Sequence, residues 1–98
     1  MNVTFDEVHN YWEQQVFAEI MRRADLYPEF DADLLADTAC VALNLLPSRY
    51  VRFDIDLVFF MSQHERQDGE RALENAVDFA FSFVAERTAK GASPRQKV

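Results

Sequence analysis

Ninety-eight residues with a net charge of −7 and a single cysteine make one small domain. No internal disulfide can form, and a cysteine-built zinc site is excluded. The acidic balance argues against binding to duplex nucleic acid or an anionic membrane.

A core this small is thinly stabilised alone, and apolar residues make up 49% of the chain, nine of them Phe. A second subunit is the expected extra stabiliser. Lys90, Arg95 and Lys97 lie in the last nine residues. Without them residues 1–89 hold seven basic and seventeen acidic side chains, a balance of −10. All seven of those cations are arginine, which suits planar, bidentate anion recognition. The start, MNVTFDEVHNYW, has no basic region followed by an apolar run, and no stretch reaches the ~20 apolar residues that span a bilayer. The chain reads as cytoplasmic, with no membrane partner.

Thr4-Phe5-Asp6-Glu7 fits a capping box. Behind it Phe5, Val8, Trp12, Val16 and Ile20 recur at helical spacing, predicting a helix of roughly 20 residues that ends near Ala24. Pro28 then marks a loop. Asp31 and Asp33 are candidate caps for a second helix over roughly 33–46, which Pro47 stops. That helix is apolar almost all round, so it belongs at the centre, with Cys40 as a buried thiol. Its polar residues Asp33, Asp37 and Asn44 fall on one line.

Val51 to Leu57 alternates apolar and polar side chains, the pattern of a half-buried strand. A lone strand leaves backbone groups unpaired, which favours antiparallel pairing with the same strand of a second subunit about a two-fold axis. Residues 53–61 as a short helix are the alternative. Ser62-Gln63-His64-Glu65 is a second capping box and opens a last helix, about 63–89. Its stripe is Leu73, Ala76, Val77, Ala80 and Val84, widened by Phe79, Phe81 and Phe83. Gly69 on that stripe marks either a close helix contact or a break. Residues 90–98 read as a disordered basic tail. The expected architecture is mainly α: three to four helices over residues 1–89, one short strand and a homodimer.

No catalytic pattern stands out. His9 and Glu13 sit one helical turn apart, but the partners needed to finish a metal site are missing. Cys40 has no base beside it, and both glycines are isolated. The expectation is a non-enzymatic protein with no cofactor and no metal. The densest polar cluster is the join after the second helix: Asn44, Pro47, Ser48, Arg49, Tyr50 and Arg52. Guanidinium groups beside an aromatic ring suit a phosphate attached to a flat base. A plainer reading has Asn44 cap the helix and the arginines pair with Asp54, Asp56 or Asp37.

The run from Asp37 to Val51, DTACVALNLLPSRYV, resembles the signature of the late competence development protein ComFB family. That pattern is an Asp, a small-apolar helix ending in Leu-Asn-x-Leu-Pro, a basic residue, Tyr, and Val or Ile. The likeness extends over roughly residues 5–88, including Asn10 and Glu13. It implies a small bacterial regulatory protein, some of whose cyanobacterial relatives are receptors for cyclic dinucleotides. Some members carry zinc-holding cysteines before the signature Asp; here Glu29 to Leu34 has none, so a zinc-bound form is not expected. Position 48 is Ser where a second Pro is common. On this basis Arg49 and Arg52 would hold phosphate, Tyr50 would stack, and Asn44 and Asp37 would orient a cyclic dinucleotide. The alternative is a homodimeric protein-interaction module with no small ligand.

Overall fold

The computed structural model describes residues 1–90; the expected tail beyond Lys90 lies outside them. In chain order the elements are β1 (His9–Asn10), α1 (Trp12–Arg23), a 3-10 turn (Ala24–Leu26), α2 (Ala32–Leu45), β2 (Tyr50–Val51), α3 (Asp54–Phe60) and α4 (Gln63–Ala89). The fold is mainly helical, with one short two-stranded antiparallel sheet.

Two helices form where their local signals place them. Asp31 caps α2, its carboxylate accepting from the Leu34 N–H at 2.8 Å. The chain turns extended at Leu46, just before Pro47. Ser62 and Glu65 complete the capping box of α4 at 3.1 and 3.4 Å. Inside α4, Gly69 lies against α1: a Cβ there would stand 3.3 Å from Trp12 Cη2, so the glycine marks a close contact.

The first helix starts later than its apolar spacing predicts. Thr4 Oγ1 accepts from the Asp6 N–H at 3.2 Å, and Glu7 turns to Arg52 instead of back to the chain start. Phe5 and Val8 stay exposed. The reason is long-range: His9 and Asn10 pair with Val51 and Tyr50 in an antiparallel ladder, which helix at those residues would forbid. The alternating segment is also shorter as strand than its pattern suggests. Only Tyr50–Val51 pairs, and from Asp54 the chain is helical, with Asp54 and Asp56 in the favourable first turn. The partner of β2 is β1 of the same chain. The need for a second subunit to pair a lone strand therefore falls away.

The core lies where α4 meets α1 and α2: Val16, Ile20, Thr38, Ala42, Val77, Ala80, Phe81 and Val84 are buried. Thr38 meets its polar cost inside the helix by donating to the Leu34 carbonyl at 2.8 Å. Tyr27 stacks on Phe81 at 4.1 Å between ring centroids, and Phe30 tilts against both. These three rings fasten the α1–α2 connection to α4. Arg23 bridges Glu19 of its own helix and Asp78 of α4, adding a polar tie at the rim. Leucines and alanines alone do not fix the depth of α2: one face is buried, but Cys40 on another is exposed, against expectation. No helix of the described residues is long and apolar enough to cross a membrane.

Candidate functional site

The join between α2 and α3 is held by a buried amide. Asn10 is 7% exposed, and its Oδ1 accepts from the Arg49 N–H at 3.0 Å and the Trp12 N–H at 3.3 Å. The Tyr11 N–H donates to the Arg49 carbonyl at 2.7 Å. Arg49 is thus fixed through its backbone at both ends while its side chain stays exposed. Among the described residues that guanidinium makes no ion pair.

Tyr50 follows on β2 with 68% of its surface exposed. Arg52 comes two residues later. Its Nε donates to Glu7 Oε1 at 2.9 Å, and its guanidinium lies 4.7 Å from the centre of the Phe53 ring. Both partners of this ion pair are well exposed, so it contributes only about 0–1 kcal/mol. Arg52 also borders a depression of about 410 Å³ formed with residues 2–5, 7 and 8.

The structure brings Arg49, Tyr50 and Arg52 onto one pinned, exposed segment. Asn44 and Asp37 stand on α2 instead, Asn44 exposed and Asp37 half-buried. Among the described residues the plainer reading takes another form: the helix ends at Leu46 with a backbone bond to the Leu43 carbonyl, and Arg52 pairs with Glu7.

Sequence reasoning missed the other side of the ladder. His9 Nδ1 lies 2.7 Å from the Glu7 carbonyl oxygen, and Nε2 lies 2.6 Å from Asp54 Oδ1. Both partners are acceptors, so the ring satisfies both only when each nitrogen carries a proton. The Glu7 carbonyl first, and the Asp54 carboxylate next, raise the imidazole pKa above its ordinary 6.5. The tie between β1 and α3 is therefore complete below pH 6.5 and weakens as pH rises through the raised value. A proton NMR titration should place His9 above 6.5, and Asp54→Asn should lower it; an unchanged pKa in that variant would remove Asp54 as a cause. No sequence signal joins residues 45 positions apart.

A family model described as late competence development protein ComFB matches residues 9–88. The chain belongs to the ComFB family. The match opens at the His9–Asn10 strand and closes inside α4, so the ComFB span contains the ladder, the Asn10 pin and the Arg49–Arg52 segment. Membership places the chain among small regulatory proteins connected with late competence development. Neither a curated protein nor a solved structure matches it. Among the described residues no group of three or more His, Cys, Asp and Glu side chains could hold a metal ion.

Proposed function

We propose that this ComFB protein is a non-enzymatic regulator that works as a homodimer and takes a cyclic dinucleotide on the Arg49–Tyr50–Arg52 segment. One observation carries the reading. An exposed Tyr50 stands beside Arg49, which has no ion pair among the described residues, on a backbone pinned by buried Asn10. The fold itself makes little use of those side chains, and a phosphate attached to a flat base would use all of them. Arg49 and Arg52 hold phosphate oxygens, Tyr50 stacks on a base, and Asn44 and Asp37 orient the ligand from α2. Two copies of the segment about a two-fold axis suit a two-fold ligand.

The commitments of the reactive side chains support a role without catalysis. Both nitrogens of His9 are engaged, and Cys40 lies among apolar neighbours.

Glu7 already offers Arg52 a carboxylate, so the ligand phosphate competes with it. A thermal-shift series tests the idea. At a hundredfold excess over Kd, bound ligand contributes about 2.7 kcal/mol. In a domain of this size that raises Tm by on the order of 10 °C. The cyclic form should give the shift and the linear form should not. Glu7→Gln should bind severalfold more tightly than the parent; weaker binding in that variant would take Arg52 out of the site.

A second reading is a protein-interaction module with no small ligand. It is favoured by the stacked, exposed pair Phe79 and Phe83 on α4, 5.9 Å apart between ring centroids, with the Arg87 guanidinium over Phe83. Retention of a specific protein by the parent, lost in Phe79→Ser, with no response to any dinucleotide, would favour it.

A further inference from the structure

We infer that the cavity between α1, α3 and α4 binds a small zwitterion with an apolar tail, the chemistry of a free apolar amino acid, with its carboxylate on Arg66 and its ammonium on Glu70. The cavity shares no lining residue with the Arg49–Tyr50–Arg52 segment and does not rest on the reading given for that segment.

The cavity holds about 180 Å³. Trp12, Val58, Met61 and Leu73 give it apolar walls, and Arg66 and Glu70 of α4 border it. An apolar space of about 150 Å³ is enough for a group the size of benzene. Among the described residues Trp12 Nε1 is the one buried side-chain N or O atom without a hydrogen-bond partner, and Trp12 is 8% exposed. A buried donor left unpaired is costly, and native folds seldom keep one without a use. The indole is braced: Tyr11 meets it edge-on at 5.3 Å between centroids, and a Cβ on Gly69 would stand 3.3 Å from its Cη2. The N–H therefore needs an acceptor brought to it. The α3 helix beside the cavity has no buried residue, so it is the wall that yields to admit one.

The two charges at the mouth select the ligand. Arg66 and Glu70 lie one helical turn apart, both exposed. Elsewhere along this helix and its cap, opposite charges three or four residues apart close on each other: His64 and Arg71 with Asp68, Lys90 with Glu86. Arg66 and Glu70 form no ion pair among the described residues. Base before acid is the less favourable order along a helix. The helix thus presents a free cation and a free anion, rooted roughly 5–6 Å apart, beside an apolar hollow. A ligand with a carboxylate and an ammonium on neighbouring atoms satisfies both at once. The carboxylate has one oxygen for the Arg66 guanidinium and one for the indole N–H, and the tail lies along Val58 and Leu73. A ligand carrying only one of the two charges leaves the other mouth residue unpaired.

Trp12 is the only tryptophan in the chain, so its emission reports on the cavity directly. The full chain is titrated with leucine and methionine, and with N-acetylleucine and leucinamide, each of which lacks one charge. Leucine or methionine should change the Trp12 emission saturably and raise Tm. Each blocked form should bind at least about tenfold more weakly than leucine. Arg66→Gln and Glu70→Gln change exposed positions and should keep the parent circular dichroism. Each should bind leucine at least about tenfold more weakly, and in a matched way. Arg66→Gln should no longer separate leucine from leucinamide, and Glu70→Gln should no longer separate leucine from N-acetylleucine. A merely structural role for either residue would not produce that matching. No saturable change with either amino acid up to millimolar concentration would overturn the proposal. So would binding that tolerates both blocked forms, or binding that leaves the Trp12 emission unaltered.

Discussion

Phe81→Ala is expected to lower stability by about 3–5 kcal/mol, the usual cost of deleting a fully buried phenyl ring. Phe81 is 0% exposed in the middle of α4 and is the ring on which both Tyr27 and Phe30 rest. Its loss removes a large apolar surface and leaves a cavity. It also removes two aromatic contacts, each contributing about 0.5–1.5 kcal/mol. A chain of this length is stable by only about 5–15 kcal/mol in total. The variant should therefore melt on the order of 20 °C lower. Urea unfolding followed by circular dichroism gives the number directly. Phe79→Ala, only two residues away but 53% exposed, should stay within about 1 kcal/mol of the parent. Equal losses in the two variants would mean that the aromatic cluster is not the centre of the core.

Asn10→Ala should be the second most damaging change. Its Oδ1 is the partner of two backbone N–H groups, those of Trp12 and Arg49. Removing it strands both donors, at about 1–3 kcal/mol for each one that water cannot reach. A combined loss of about 2–4 kcal/mol is expected. The effect on function should be larger than the effect on the core. The Arg49 N–H bond ties the signature loop to the chain start, so the variant should remain helical while hydrogen exchange at Tyr50 and Val51 accelerates. Asn10→Asp keeps the acceptor and should recover most of the loss. If Asn10→Ala exchanges at the same rate as the parent in the β1–β2 ladder, the pin has no structural importance.

The parts of this fold that were legible in the sequence are those with local causes. Asp31, Pro47 and the Ser62–Glu65 box act within a few residues, and the helices they bound are where they predict. The errors have long-range causes. Phe5 and Val8 continue the apolar spacing of α1 backwards, yet a two-residue ladder to Tyr50 and Val51 takes precedence over it. The residues from Val51 to Leu57 alternate like a strand, but they carry Asp54 and Asp56, which suit a helix start equally well. In α2 the apolar residues run round most of the helix. Hydrophobicity alone then cannot tell the face packed on α4 from the face left open at Cys40.

The candidate site divides the same way. Arg49, Tyr50 and Arg52 are neighbours in the chain, so their grouping was visible at once. Glu7, His9 and Asn10, which position that segment or pair with it, lie 39 to 45 residues away in their contacts. Only the likeness to the ComFB signature pointed to Asn10, and only the fold shows what it does.

The most direct test of the proposed function is a calorimetric titration of the full chain with cyclic di-GMP, cyclic di-AMP and cyclic AMP. The receptor reading expects saturable heat with one cyclic dinucleotide. It expects that heat to weaken by at least about tenfold in Arg49→Ala, in keeping with the loss of a charge-assisted hydrogen bond. No heat from any of the three, with a sample that melts cooperatively, would contradict it.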